Sequence, residues 1–125
     1  MKMNPDLIRK ILLLTEENTS YGEEYEFEDE AIPIELENYS LDEIFYHVEL
    51  CKKFDFLECF IYPHCIVLED LTPQGHLFLS DIRDDLVWNK TKNIASKIGS
   101  FSITTLKEIA VQVVSQSINT FFNPK

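Results

Sequence analysis

Between Glu16 and Glu43 the chain carries twelve carboxylates and no lysine or arginine. Such a run of like charge resists closing into a helix, where residues three and four apart would hold carboxylates side by side. Residues 19–31, with Tyr21, Tyr25 and Phe27 set among glutamates, therefore read as an acidic loop. The loop leads into a short strand over residues 32–36, in which Ile32, Ile34 and Leu36 alternate to define one buried face. The other end of the chain is the reverse: from Leu86 onward there are five lysines and one acid, Glu108. The net charge of -11 weakens nonspecific attraction to nucleic acid, because backbone binding depends on neutralising phosphates.

Helix punctuation is clear elsewhere. Asn4-Pro5-Asp6 caps and opens a first helix whose apolar residues, Leu7, Ile8, Ile11, Leu12 and Leu14, follow a helical period. Ser40-x-x-Glu43 is a capping box that starts a second helix, and Lys52-Lys53 close it. Residues 56–62 and 65–68 read as two strands of a hairpin with Pro63-His64 at its turn. Thr72-Pro73 opens a long helix, predicted over residues 72–98 and stopped by Gly99-Ser100. A last helix spans residues 102–122, and its apolar residues cover an arc of roughly 180°, wider than one docking face needs.

The expected fold is mainly α with a small β-hairpin (α+β): a winged helix-turn-helix variant with two extra C-terminal helices. One structural domain is expected, with residues 1–98 as the winged-helix-like part and 102–122 as an oligomerisation or docking helix. Between the short strand and the hairpin there is room for one convincing helix, 41–53, so the first helix of the usual pair is truncated or absent. The first seventeen residues read as an amphipathic helix rather than a leader, and no apolar run approaches the ~20 residues of a membrane span. The expectation is a cytoplasmic protein with no membrane association. Cys51, Cys59 and Cys65 are odd in number and irregular in spacing, which points to reduced thiols packed as small hydrophobes.

Met3-Asn4-Pro5-Asp6-Leu7-Ile8-Arg9, Tyr46-His47 and above all Leu71-Thr72-x-x-Gly75-His76-x-Phe78-Leu79-x-x-Ile82-Arg83-Asp84, with Trp88 and Lys92, carry a resemblance. The chain resembles, over nearly its whole length, a bacterial and prophage family catalogued as a domain of unknown function, with winged-helix character. The resemblance implies a fold and a phage or prophage origin. It implies no enzyme activity, cofactor or binding residue.

Individual constellations are weak on chemistry. His47 and Cys51 stand four apart on one helix, with Cys59, His64, Cys65 and His76 nearby, but no C-x2-C or H-x3-H pair occurs, so no metal is expected. Gly75 in the first turn of a helix costs ~1 kcal/mol relative to alanine, and close packing against the hairpin or the first helix would explain it. His76 and Ser80 lack an orienting acid, so neither catalysis nor a cofactor is expected. Arg83, Asp84, Asp85 and Trp88 read as a salt-bridged helix face with a packed indole.

Two functions from different classes follow. The first is a non-enzymatic regulatory or interaction protein, homodimeric through its last helices. It would meet DNA through Tyr46, His47, Lys52 and Lys53 of the second helix and His64 at the hairpin tip, with Lys90 and Lys92 as further phosphate contacts. Three acids on the exposed side of that helix, Asp42, Glu43 and Glu49, count against base reading. The second is an acidic protein-binding inhibitor of a host nucleic-acid enzyme or defence system. In that reading Glu23, Glu24, Glu26, Glu28, Asp29 and Glu30 imitate a phosphate backbone.

Overall fold

Helix α1 (Pro5–Asn18) begins as its sequence predicts: the Asn4 side-chain oxygen accepts the N–H groups of Asp6 and Leu7 at 3.0 and 3.4 Å. In the computed structural model, which describes residues 1–123, the chain divides into two compact units, Met1–Leu79 and the residues from Ser80 onward. The class is α+β: five helices and one three-stranded antiparallel sheet among the described residues.

In the first unit, α1 buries Leu7, Ile8, Ile11, Leu12 and Leu14 against α2 (Leu41–Lys53) and the sheet. The Ser40–Glu43 capping box is formed in both directions, at 3.1 Å each way. The hairpin is present as β2 (Leu57–Ile61) and β3 (Cys65–Leu71). A third strand, β1 (Tyr25–Glu28), lies on the far side of β3, giving the order β1-β3-β2.

That third strand corrects the sequence reading of residues 19–36. The strand forms inside the acidic stretch, and residues 32–36 do not pair: Ile34–Leu36 is a single 3-10 turn, with Leu36 buried and Ile34 exposed. Pro33 supplies no N–H for a ladder, which disfavours a strand there. Charge repulsion did not keep residues 25–28 irregular because a strand sends successive side chains to opposite faces. Phe27 enters the core while Glu26 and Glu28 stay in water.

The Thr72–Gly75 segment joins α3 (Pro73–Ile82) to the start of β2. The Thr72 hydroxyl accepts the Gly75 N–H at 3.0 Å and donates to the Asp55 carbonyl, while the Thr72 N–H donates to the Phe56 carbonyl. A Cβ on Gly75 would overlap that same Phe56 carbonyl oxygen. Phe78, one turn on, stacks on Phe56 with ring centroids 5.0 Å apart. The glycine is therefore a packing requirement, and its backbone contact lies at the residue leading into the hairpin.

The expected continuous helix 72–98 is two helices. The chain leaves helical geometry at Asp84, whose carboxylate accepts the Val87 N–H at 3.0 Å and caps α4 (Asp85–Ile98). An aspartate followed by a second acid is a helix start, and here it overrides the apolar period running through it. Gly99 ends α4 in the left-handed region, φ 86°. In the second unit α4 packs along α5 (Ile103–Phe122), which Ser102 caps through the Thr105 N–H. No helix among the described residues is long and apolar enough to cross a membrane.

Candidate interaction surfaces

The register of the sheet sorts its side chains into two faces. Tyr25, Leu68 and Cys59 lie across from one another, as do Phe27, Ile66 and Ile61, and these face the core. Val67 pairs with Glu26 on one side and Phe60 on the other, and Glu28 pairs with Cys65, on the outer face. A bulge between Glu58 and Cys59 shifts the ladder so that Glu58 stands opposite Asp70. Phe60 and Tyr62 stack on this outer side, ring centroids 6.5 Å apart, and both are about half exposed.

Two shallow concavities belong to this surface. One is lined by Glu26, Glu28, Asp29, Glu30, His64 and Cys65. The other is lined by Ser20, Tyr21, Gly22, Glu23, Glu24, Glu58, Glu69 and Asp70. Together they hold nine carboxylates, and no lysine or arginine lines either. Of the six acids singled out from the sequence, Glu26, Glu28, Asp29 and Glu30 line the first concavity, and Glu23 and Glu24 the second. The sheet adds Glu58, Glu69 and Asp70, which sequence reasoning missed because only strand pairing places them beside β1.

The surroundings shape the few titratable groups in the sheet. Partial burial and then the charge of Glu26 push the Cys65 thiol up, with Glu28 and Asp29 adding to the effect. Burial followed by the charge of Glu35 raises Tyr25. Cys65 is thus held as a neutral thiol, a poor nucleophile. Among the described residues no group of His, Cys, Asp and Glu is arranged to hold a metal ion.

The candidate DNA-contacting residues of the first unit stand in mixed surroundings. His47 is fully buried, a correction to its assignment as an exposed contact. It sits with Ile44, Val48 and Cys51 on the buried stripe of α2. Its Nδ1 donates to the Glu43 carbonyl, and its Nε2 accepts the Asn4 N–H, both at 2.7 Å. The signal was available: position 47 is three after Ile44 and four before Cys51, which is the core-facing spacing. His47 and Cys51 are both interior groups, with the Cys51 thiol pushed well up by burial.

Tyr46 is at the surface. Lys52 reaches back so that its Nζ donates to the Cys59 carbonyl at 3.2 Å, and Lys53 pairs with Glu49 at 3.5 Å. His64 at the hairpin tip meets the Asp29 carboxylate at 2.8 Å. A groove between α2 and the hairpin tip is lined by Met1, Phe45, Tyr46, Ile61, Tyr62 and Pro63, but also by Asp42 and Glu49. Lys90 and Lys92 lie on α4 in the second unit, with the Lys92 ammonium 5.6 Å from the Trp88 ring centre. His76 is exposed, and Trp88 is buried.

Residues 2–102 match the family described as Hypothetical protein (DUF2513). The chain belongs to that family. A protein of Haemophilus influenzae (strain Rd) described as uncharacterized is 32% identical over 123 residues, taking in 94% of this chain and 99% of the relative. No solved structure matches the chain. The DUF2513 match spans every element from α1 to α4 and ends where α5 begins.

Proposed function

We propose that this DUF2513 protein is a non-enzymatic interaction protein whose first unit is a winged-helix frame presenting an acidic sheet face to a basic protein surface. The frame is supported by the element order α1, β1, α2, β2, β3 and the strand order β1-β3-β2, with the 3-10 turn at 34–36 in place of a helix. The observation that carries the reading is the outer sheet face: nine carboxylates from the strands and their flanks, with no lysine or arginine among the residues lining its concavities. Such a face fits a groove that otherwise holds a nucleic-acid backbone, because both present rows of negative charge to the same lysines and arginines. The stacked Phe60 and Tyr62 beside it supply aromatic contact area of the kind that anchors protein interfaces.

Direct DNA binding is the weaker reading. The helix that would enter the major groove shows Asp42 and Glu49 to solvent, its lysines are engaged within the chain, and His47 is inside. An inhibitor of a host nucleic-acid enzyme or defence system, carried by a prophage, is the biological setting that this surface suits.

Two measurements test the reading. In a gel shift with a labelled duplex at about 50 mM salt, where phosphate contacts are strongest, no complex is expected. A complex there would overturn the proposal in favour of a DNA-binding regulator. The second is retention from host extract on immobilised protein, compared with a variant carrying Glu26→Gln, Glu28→Gln, Glu58→Gln and Asp70→Asn. Proteins held by the wild type, released by added duplex DNA and lost on the variant are expected. Retention indifferent to both DNA and the substitutions would exclude mimicry.

A further inference from the structure

Helix α5 has two apolar seams, and its packing within the chain buries one of them. Leu106, Ile109, Ala110 and Val113 form the buried seam. Val111, Val114, Ile118 and Phe121 recur at three- and four-residue spacing about a third of the way round the helix. Val111 is 47% exposed, Ile118 51% and Phe121 78%, and the adjoining Phe122 is 74% exposed. A 3-4 spacing of apolar side chains is the pattern by which one helix packs along another at a shallow angle.

We infer that the second seam is covered by the α5 of a second copy of this chain, forming a two-fold dimer. Charge selects this occupant. Residues 109–123 contain no Asp, Glu, Lys or Arg in a chain in which 26% of residues are charged. A seam meant for a charged partner would carry the complementary sign along its edges. Across a two-fold axis the same patch meets its own copy, so like charges near the axis repel, and a chain with a net charge of -11 pairs with itself most favourably through a neutral patch. Ser115 and Ser117, on either side of the seam, are neutral and polar, and the charged pair Lys107 and Glu108 stands one turn before Val111, at its far end.

Area agrees with charge. The exposed parts of Val111, Ile118, Phe121 and Phe122 amount to roughly 500 Å² per copy, so these side chains contribute up to about 1,000 Å² to a paired interface, the lower bound for a specific one. The inference is independent of what the acidic sheet face binds.

Sedimentation equilibrium of the full chain at about 50 μM tests it. The expected mass is twice the 14.6 kDa of one chain. The double variant Ile118→Glu, Phe121→Glu is expected to sediment as a monomer with its helical circular dichroism retained, since Ile118 is half exposed and Phe121 largely so. If that variant loses its helicity, Phe121→Ser alone carries the comparison, with at least a tenfold weakening of association expected. A wild-type monomer at 50 μM overturns the inference. A folded double variant that still dimerises overturns it as well, because the copies would then meet through another surface.

Discussion

Strand β1 and its flanks carry a carboxylate at most positions, whereas residues 109–123 of α5 and its end carry no charge. The charged segment is nonetheless ordered by the core, with Phe27 buried beneath Glu26 and Glu28. The uncharged helix leaves Val111, Ile118, Phe121 and Phe122 in solvent. The difference teaches that period outranks composition. Alternation by two lets a strand send every charge to water and every aromatic inward. A helix with apolar residues on more than one arc has more to bury than a single neighbouring helix can cover.

The contrast is broken most directly by truncating one aromatic from each region. Phe27→Ala is expected to cost about 3–5 kcal/mol of stability, as for a buried phenylalanine. Phe121→Ala is expected to stay within about 0.5 kcal/mol when urea unfolding is followed at a concentration low enough to keep the chain monomeric. Equal losses would mean that β1 is not held by its inner face.

The sheet that receives β1 is tied down at Gly75, and Gly75→Ala sharpens the picture. An exposed helical site would gain ~1 kcal/mol from alanine. Here the new methyl group meets the Phe56 backbone, so a net loss of about 1–3 kcal/mol is expected instead. Thermal unfolding reads the sign directly, and a stabilised variant would show that the Phe56 backbone yields without cost.

Alkaline titration separates the regions by chemistry. Burial raises the Cys51 thiol well above its ordinary value near 9.0. The folded protein therefore keeps its proton where the unfolded chain loses it. The resulting stability is complete below about pH 9 and is lost as pH rises beyond it toward the folded value, with a slope of up to about 1.4 kcal/mol per pH unit. Cys51→Ala should flatten that slope in urea-unfolding midpoints taken across pH 8–10.5. Residues 109–123 contain no titratable side chain, so the seam of α5 adds nothing to it.

The smallest effect concerns the carboxylates themselves. Glu26→Gln combined with Glu28→Gln should stabilise the protein by a few tenths of a kcal/mol at low salt, and ~0.5 M salt should erase the gain. A destabilised double variant would point to favourable contacts for these glutamates within the fold.

Much of the architecture is legible in the sequence. Asn4, Ser40 with Glu43, Thr72 with Pro73, Ser102 and Gly99 all act where local chemistry places them, because capping needs only neighbours a few residues away. The α3–α4 break was missed although Asp84 is a good cap, since the apolar period continues across it. As a polar side chain His47 reads as a surface contact, yet its place in the stripe of α2 makes it interior. The acidic surface was half legible: the run from Glu23 to Glu30 is visible as a run, but its ordered strand and its partners Glu58, Glu69 and Asp70 are not.

The amino-acid sequence alone determined the helix starts, the hairpin turn at Pro63-His64, the segregation of charge and the surplus of apolar residues in α5, all of them properties of short windows. Only the tertiary structure decided that β1 pairs with β3, that Gly75 lies against the Phe56 carbonyl and that Glu58, Glu69 and Asp70 line one concavity with Glu23 and Glu24. Those outcomes join residues tens of positions apart, and no local pattern encodes which distant strand will offer its hydrogen bonds or which backbone atom will fill the space a glycine leaves.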